Sequence, residues 1–204
     1  MKYTTETGEK VSLQSRNVIT TVGAYALKTM LPFVKAGDMA PISALRYAPI
    51  VQVSVGLSNA HGIEHKAFGG LIPTCEQQQL LGILFPSACF SQRCPAEGAL
   101  FSFFLGGMKH GEMLGKTNEE LRKLVTKALS KMLGFPQDVE PDMVQIFRHE
   151  HAIPQYELSS GARFAAVKRI EQAHPGLILG GNLRDGIGMA DRIRQAVAMG
   201  LQIN

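Results

Sequence analysis

The sequence predicts an α+β fold in which a mostly antiparallel sheet packs against helices. Three features of the 204-residue chain indicate this class. Strand-like segments separated by turn residues fill residues 41–107, and a capped amphipathic helix follows at residues 117–133. A strand, a glycine-rich turn and a helix then close the chain over residues 177–199. Consecutive strands with short connections favour antiparallel pairing, because parallel pairs need long crossovers.

The chain opens with a predicted β-hairpin that runs into a further strand over residues 2–22. Thr7-Gly8-Glu9 is a turn between two stretches in which polar and apolar residues alternate. Val18–Val22 is β-branched throughout, which favours a strand buried on both faces. Such a strand needs neighbours, so either later segments supply them or the natural protein begins earlier. Ala24–Leu31 then predicts a short helix that ends before Pro32.

The middle of the chain predicts the sheet. Ile50–Leu57 alternates cleanly and places Val51, Val53 and Val55 on one face. Further strands are predicted at Ala67–Pro73, Leu80–Phe85 and Ala99–Leu105, with turn residues between them. Their apolar runs make both faces hydrophobic, which suits a sheet that packs on one side and lines a cavity on the other.

The helix at residues 117–133 carries the clearest local signals. Thr117 and Glu120 form a capping box, in which the hydroxyl and the carboxylate each accept a main-chain N–H of the first turn. Gly134 and Pro136 end the helix. Its apolar residues fall on one stripe, which consists of Leu121, Leu124, Val125, Ala128, Leu129, Met132 and Leu133. We therefore expect this helix to cover one face of the sheet.

Two more elements precede the closing unit. Met143–Arg148 predicts a strand, and Ala162–Ala173 predicts an amphipathic helix with Phe164, Val167 and Ile170 facing inward.

The closing unit consists of a buried strand at Leu177–Leu179, a glycine-rich turn at 180–189 and a helix at Ala190–Met199. Gly186 and Gly188 stand where this helix begins. The first amides of a helix lack internal acceptors and carry partial positive charge, so such a turn is a common anion-binding device. The glycines do not follow the GxGxxG spacing of dinucleotide folds. A tight connection whose glycines serve packing is therefore an equal alternative.

The residues around this turn predict ordinary surface roles. We expect Arg184 and Asp185 to be turn residues, with Asp185 as a cap of the last helix. We expect Asp191, Arg192 and Arg194 to form near-spaced pairs on the helix surface.

Composition and charge exclude several classes of protein. The 21 Lys and Arg against 17 Asp and Glu give a net charge of +4 without a long basic run, so no nucleic-acid partner is expected. Cys75, Cys89 and Cys94 are too few and too irregularly spaced for a disulfide framework, which favours a reducing compartment. The first residues lack the apolar segment of a signal peptide, and no run is long enough to span a membrane. We therefore expect a cytoplasmic protein.

Neither histidine pair predicts a metal site. His61 and His65 lie in a loop without an evident third ligand, whereas zinc needs three or four in fixed geometry. His149 and His151 share one face of a strand, which suggests sheet or cavity lining. No residue pattern identifies a catalytic group.

Several segments together resemble a known family. They are AFGGLIPTCEQQQLLGILFPS (67–87), LFSFFLGGMKHGEML (100–114), NEELRKLVTKALSKMLG (118–134), HAIPQY (151–156) and PGLILGGNLRDGIGMADRIRQA (175–196). In order and spacing they are similar to the C-terminal half of FAD-dependent protoporphyrinogen oxidases of the amine-oxidase-like superfamily. Residues 18–32 resemble the strand and helix that lead out of the FAD domain in that family.

The resemblance implies a flavoenzyme of heme biosynthesis. Its activity would be the oxidation of protoporphyrinogen IX, or of coproporphyrinogen, to the porphyrin, with FAD as the redox group and oxygen as the usual oxidant. It assigns residues 1–32 and 161–204 to parts of the FAD domain and residues 33–160 to the substrate-binding domain. The N-terminal Rossmann unit of the family is absent from the chain, so we expect poor FAD binding and no activity by this chain alone.

The resemblance also implies site residues. It matches Asn182, Ile187, Gly188 and Met189 to late FAD contacts, with Gly181 and Gly186 shaping the turn. Gly69, Leu71 and Phe104 match positions that line the tetrapyrrole cavity. The expected partners are a tetrapyrrole substrate, the missing N-terminal half, a membrane surface bound peripherally, and further copies of this chain that cover exposed core faces.

Two other functions are open. One is a different amine-oxidase-type flavoenzyme, such as a carotenoid desaturase or a polyamine oxidase, although the HAIPQY box favours the porphyrin enzyme. The other is a non-catalytic binding module, which the absence of the nucleotide-binding fingerprint favours.

Overall fold

The structure is a computed structural model that describes residues 2–203. In chain order its elements are β1 (Lys2–Thr4), β2 (Lys10–Ser12), β3 (Val18–Thr20), α1 (Ala24–Met30), α2 (Ala36–Ser43), β4 (Tyr47–Leu57), β5 (Gly69–Leu71), β6 (Leu80–Leu84), α3 (Pro86–Cys89), β7 (Ala99–Gly106), α4 (Asn118–Leu133), β8 (Met143–Pro154), α5 (Ser160–Ala173), β9 (Leu177–Leu179) and α6 (Met189–Leu201). Short 3₁₀ turns lie at Thr74–Glu76 and Gly111–Gly115. The predicted α+β class is confirmed.

The described residues form two compact units. The first runs through Arg46 and resumes at Pro154, and the second is Tyr47–Ile153. These limits differ in position from the boundaries expected at residues 32 and 160. The assignment of each part to a flavin domain or a substrate domain stays a prediction.

The first unit contains two small sheets. β1 and β2 form the predicted antiparallel hairpin, with Tyr3 opposite Val11. β3 pairs in parallel with β9, so a segment from the far end of the chain supplies its neighbour. The prediction that β3 is buried on both faces is wrong for Ile19, which is 37% exposed. Among the described residues β9 is the one strand paired with β3, and a two-stranded sheet leaves much of its surface open.

The helices of the first unit follow the sequence with two differences. α2 was not predicted, because Pro41 lies inside it and a proline removes one helix hydrogen bond. In α5 the buried stripe consists of Arg163, Ala166, Val167 and Ile170. Phe164 was expected to face inward but is 39% exposed, because the stripe is centred on Arg163.

The second unit is built on a five-stranded sheet with strand order β5-β6-β7-β4-β8. β5 pairs antiparallel with β6, β6 with β7, and β7 with β4, which confirms the mostly antiparallel arrangement. The central pair places Val53 opposite Phe103. β8 extends to Pro154, beyond the predicted end at Arg148.

One face of this sheet holds the core of the second unit. Val51, Val53 and Val55 are fully buried, as their alternation predicts. They share an apolar cluster with buried residues of β7 and α4, including Phe103 and Leu129. Each such side chain contributes roughly 1.5–3 kcal/mol when fully buried.

The cap of α4 orients this helix for its place over the sheet. The Glu120 amide donates to Thr117 Oγ1 over 3.2 Å, and the Thr117 amide donates to Glu120 Oε2 over 2.8 Å. The predicted capping box is therefore confirmed. Gly134 ends the helix in the left-handed conformation at φ +78°.

Candidate functional site

The closing turn between β9 and α6 has a conformation that requires glycine at two positions. Gly181 has φ +89° and Gly186 has φ +93°, values that side chains disfavour. A Cβ atom at Gly181 would lie 2.7 Å from the carbonyl oxygen of Thr21, and one at Gly186 would collide with the Asp191 carboxylate. These two glycines are therefore explained by the fold of the turn itself.

Arg192 holds the turn together from the first turn of α6. Its guanidinium donates to the carbonyl oxygens of Gly181, Arg184 and Gly186, the last two at 2.8 and 2.7 Å. The expectation that Arg192 is a surface pair is wrong, because the carbonyls of the turn point back toward the helix and are satisfied by this side chain. A cation in the first turn of a helix opposes the helix dipole, so the carbonyl oxygens of the turn account for an arginine at this position.

Gln195 ties the turn to α6 from a buried position. Its Oε1 accepts from the amide of Gly181 at 2.8 Å, and its Nε2 donates to Asp185 Oδ2 at 2.8 Å. The prediction that Asp185 caps α6 is wrong, because the N-cap is Gly188 and Asp185 lies too early in the turn. Instead the Gly188 amide donates to Asp191 Oδ2 at 3.2 Å.

Tyr156, from the HAIPQY segment, contacts the same turn. Its hydroxyl lies 3.0 Å from the carbonyl oxygen of Asn182 and 3.1 Å from that of Gly186. The Arg163 guanidinium lies over its ring, with the central carbon 4.9 Å from the ring centroid. Burial raises the pKa of the Tyr156 hydroxyl above its ordinary value, against the opposing effect of Arg192 and Arg163.

All six residues predicted for the cofactor lie on this turn or at the start of α6. They are Gly181, Asn182, Gly186, Ile187, Gly188 and Met189. Ile187 is 49% exposed and Met189 is 81% exposed, so neither is part of a buried interior. Their role in binding stays a prediction.

The hydrogen-bond donors of the turn fit an anionic or hydrogen-bond-accepting part of FAD. The amides of Met189 and Ala190 form no hydrogen bond within the described part of the chain, as expected for a helix start. Three carbonyl oxygens that would repel an anion are already bound by Arg192. Thr20 Oγ1, beside the turn, is buried without a partner among the described residues. The site therefore offers donors and an added positive charge.

A second candidate site lies on the face of the sheet opposite the core of the second unit. It is an apolar cavity of about 670 Å³. Its lining consists of Ile50, Gln52, Phe68, Gly69, Gly70, Leu71, Leu81, Gly82, Ile83, Leu84, Phe104, His149, Ala152 and Ile153. The predicted arrangement of a sheet with one packed face and one cavity-lining face is therefore present.

The cavity brings together the three residues predicted for the substrate. Gly69 and Leu71 come from β5, and Phe104 comes from β7. Leu71 is 89% exposed, so a ligand in the cavity would cover apolar surface that water now contacts. Whether these residues bind a substrate stays a prediction.

Gln52 and His149 are the polar side chains of the lining among the described residues. The suggestion that His149 lines a cavity is consistent with this position. The described lining contains no Asp or Glu, so the cavity suits an apolar ligand rather than an isolated cation.

The other histidine pair shows no metal-like arrangement. The His65 ring packs against Phe85, Phe101 and Phe135 at centroid distances of 5.1 to 5.8 Å. Its Nε2 lies 3.2 Å from the carbonyl oxygen of Leu133. Over residues 2–203, no group of three or more His, Cys, Asp or Glu side chains is arranged to hold a metal ion.

None of the helices described is both long and apolar enough to cross a membrane.

Comparison with known proteins defines the class. The family of flavin-containing amine oxidoreductases matches residues 1–189. This chain belongs to that family.

Three individual proteins show how similar this chain is to single relatives in sequence and in structure. The chain is 29% identical over 202 residues to the chloroplastic protoporphyrinogen oxidase of Nicotiana tabacum. This alignment covers 95% of this chain and 37% of that protein. An Exiguobacterium protein assigned as a protoporphyrinogen oxidase superposes with a TM-score of 0.78 at 18% identity, over 99% of this chain and 43% of the other. Cyclohexylamine oxidase from Brevibacterium oxydans superposes with a TM-score of 0.68 at 17% identity, over 96% of this chain and 45% of the other.

These comparisons establish a flavoenzyme family and its fold. The chain spans less than half the length of each of the three proteins, so the activity of the whole enzymes does not follow for this chain.

Proposed function

We propose that this chain supplies the tetrapyrrole cavity and the late flavin-binding turn of an FAD-dependent oxidase. The substrate would be protoporphyrinogen IX or coproporphyrinogen, and the product the corresponding porphyrin of heme biosynthesis. The observation that carries the proposal is the apolar cavity on the free face of the sheet. It lies in a chain whose similarity to a protoporphyrinogen oxidase covers 95% of its length.

Each site has a defined task in this proposal. FAD, when bound, supplies the redox chemistry. The turn held by Arg192 presents the amides of Met189 and Ala190 to the cofactor and keeps the turn carbonyls occupied. The cavity walls of Leu71 and Phe104 hold a flat macrocycle and exclude water from it. No side chain of the chain is assigned to proton transfer.

A companion segment completes the flavin site in this proposal. α6 carries four large apolar side chains spaced four residues apart, with exposed fractions of 81% for Met189, 62% for Ile193, 60% for Val197 and 72% for Leu201. This outer stripe of α6 is a face that soluble proteins normally cover. We infer that the part of the relatives outside the matched region covers it, and that copies of this chain associate through it when that part is absent.

Binding of a tetrapyrrole to the purified chain tests the proposal. We expect protoporphyrin IX to bind with quenching of its fluorescence and the variant Leu71→Asp to weaken binding at least about tenfold, since a carboxylate in an apolar site is costly. Leu158→Asp is the matched control, because Leu158 is fully exposed and lies outside the cavity lining. The proposal would be contradicted if no porphyrin bound to the chain, or if Leu71→Asp and Leu158→Asp lost the same amount of porphyrin affinity.

An amine substrate is the second candidate, and the similarity to cyclohexylamine oxidase favours it. The apolar lining, which contains no Asp or Glu among the described residues, disfavours a protonated amine. Titration with cyclohexylamine and with protoporphyrin IX separates the two functions. A porphyrinogen oxidase should bind protoporphyrin IX and not cyclohexylamine, whereas an amine oxidase should bind cyclohexylamine.

Location and association stay predictions. We propose a cytoplasmic protein that contacts a membrane surface peripherally, and a flotation assay with anionic and neutral vesicles tests this.

A non-catalytic binding module would bind the porphyrin but recover no oxidase activity when a companion polypeptide and FAD are added.

A further inference from the structure

The cavity has one apolar side and one side that carries polar groups. Its walls on β5 and β6 consist of apolar side chains and glycines, among them Leu71, Leu81 and Leu84. Gln52 lies on β4 and His149 on β8, and these two strands are neighbours at the opposite edge of the sheet. A ligand that fills the cavity therefore meets an apolar surface at one end and two polar side chains at the other.

Gln52 leaves the sheet on the cavity side. Val51 and Val53, its neighbours on β4, are fully buried in the core of the second unit. Because successive side chains of a strand point to opposite faces, Gln52 points away from that core. It is paired across the sheet with Phe104 of β7, which also lines the cavity. The register of the two central strands therefore fixes Gln52 on the cavity wall.

His149 reaches the same wall from β8. The Arg148 guanidinium beside it donates to the carbonyl oxygens of Leu114 and Lys116, at 3.2 and 2.6 Å, and Arg148 is outside the lining. Glu150, the neighbour on the other side, is outside the lining too. His149 is therefore the one residue of the described lining whose side chain can carry a charge.

Both polar side chains are available to a ligand. Over residues 2–203, no side-chain hydrogen bond, ion pair or ring contact involves Gln52 or His149. Gln52 is half-buried and His149 is exposed, so both are accessible from the cavity. A bound ligand that covers these groups must supply hydrogen-bond partners for them, because a covered polar group without a partner reduces affinity.

We propose that the cavity binds an apolar ring compound that carries a carboxylate, and that Gln52 and His149 hold this carboxylate. Both side chains offer N–H donors, and the two oxygens of a carboxylate can accept from both. The described lining contains no Asp or Glu that would repel an anion. Hydrogen bonds to a charged group are about twice as strong as bonds between neutral groups. The apolar body of the ligand then lies against Leu71 and Phe104.

This inference deepens the proposed function and rests on it for the identity of the natural ligand. Protoporphyrinogen IX and coproporphyrinogen both combine an apolar ring system with carboxylate side chains. Gln52 and His149 are then the residues that orient the substrate in the cavity. Binding of a simple apolar acid can be measured without FAD and without a porphyrin, so the two claims can be tested separately.

Two pyrene probes test the requirement for an acid. Pyrenebutyrate and pyrenebutanol share a flat apolar body and differ in a carboxylate against a hydroxyl group. Each is titrated into the purified full chain and followed by fluorescence anisotropy, and the wild type should bind pyrenebutyrate more tightly. Gln52→Leu and His149→Leu should each weaken pyrenebutyrate binding about tenfold or more, because each removes a bond to a charged group. Pyrenebutanol binding should change little.

His110→Leu and Gln137→Leu are the matched controls. Both residues lie in the second unit and outside the cavity lining, so these variants should keep the affinities of the wild type. Circular dichroism and melting temperature identify any variant that fails to fold. His149→Gln retains an N–H donor and should keep part of the pyrenebutyrate affinity, so this variant carries the test if His149→Leu does not fold.

The outcomes separate the two claims. A loss of pyrenebutyrate affinity confined to the Gln52 and His149 variants supports the inference. If protoporphyrin IX does not bind to the same wild-type chain, the proposed function alone is overturned. Equal affinities of the wild type for the two probes, or an equal pyrenebutyrate affinity in the cavity variants and the controls, overturn the inference. Protoporphyrin IX binding in those samples would leave the proposed function intact.

Discussion

The hydroxyl of Tyr156 lies 3.1 Å from the carbonyl oxygen of Gly186. This contact joins Tyr156, the last residue of the HAIPQY segment, to the glycine-rich turn, and both residues lie in the first unit. Two segments of the family resemblance are therefore in contact through the Tyr156 side chain. The turn depends on residues outside it, namely Tyr156, Arg192 and Gln195.

Tyr156→Phe should destabilise the first unit modestly. The change removes one hydroxyl that serves two carbonyls, and a hydrogen bond of this kind contributes about 0.5–1.5 kcal/mol net. Urea denaturation measures the difference in free energy of unfolding. Tyr3→Phe is the control, because Tyr3 lies on the exposed hairpin and should change the unfolding free energy by less. Equal effects of both variants would argue against a role for the Tyr156 hydroxyl in holding the turn.

The pKa of the Tyr156 hydroxyl should also lie above the ordinary value for tyrosine. Burial is the main cause that raises its pKa above the ordinary value of about 10. Because the folded-state pKa is the higher one, this contribution to stability is complete below pH ~10 and is lost as the pH rises through the folded-state pKa. Alkaline titration followed by tyrosinate absorbance should lose a component that titrates above the ordinary value when Tyr156 is replaced in Tyr156→Phe. An unchanged titration curve would contradict this prediction.

Arg192→Ala should loosen the glycine-rich turn. Three carbonyls lose a charged donor, and a hydrogen bond to a charged group is worth about 1.5–3 kcal/mol, so we expect a loss of about 2 kcal/mol. Hydrogen exchange at the amides of Gly181 and Gly188 should accelerate, and Arg192→Lys should restore part of the protection.

Arg194→Ala is the control for Arg192. Arg194 forms an exposed pair with Asp191 at 3.0 Å, and such pairs contribute between about 0 and 1 kcal/mol. Accelerated exchange in Arg194→Ala, or none in Arg192→Ala, would show that the turn does not depend on the Arg192 guanidinium.

Ile193→Glu should reduce association through the outer stripe of α6. A carboxylate on an apolar face cannot be buried against another surface without a large cost. Sedimentation velocity of the purified chain measures the shift toward monomer. Ala198→Glu adds the same charge on the same helix away from the stripe and should leave the distribution unchanged. Identical distributions for wild type and Ile193→Glu would refute the assignment of this face as an interface.

Local signals predicted much of the fold. The capping box of Thr117 and Glu120, the alternation of Val51, Val53 and Val55, and the strand, turn and helix at the end of the chain are all present. Each of these depends on residues within a few positions of one another, where spacing alone decides which groups meet. The six predicted cofactor residues share one turn for the same reason.

The contacts that position the sites were not predicted. Pairing of β3 with β9 and the bond of Tyr156 to the turn both join distant segments. The bonds that the Arg192 side chain donates to the turn were not predicted, because its partners are main-chain carbonyls, which carry no signature in the sequence. Pro41 concealed α2 for a local reason, since proline is a poor predictor of the helix that contains it.

The sequence by itself determined the class of fold, the helix and strand periodicities and the chemistry available at the closing turn. Tertiary structure alone decided which glycines the backbone requires and which contacts hold the closing turn. The physical reason is that periodicity and caps are set by neighbours along the chain, whereas the room around a Cβ atom depends on strands that arrive from elsewhere in it.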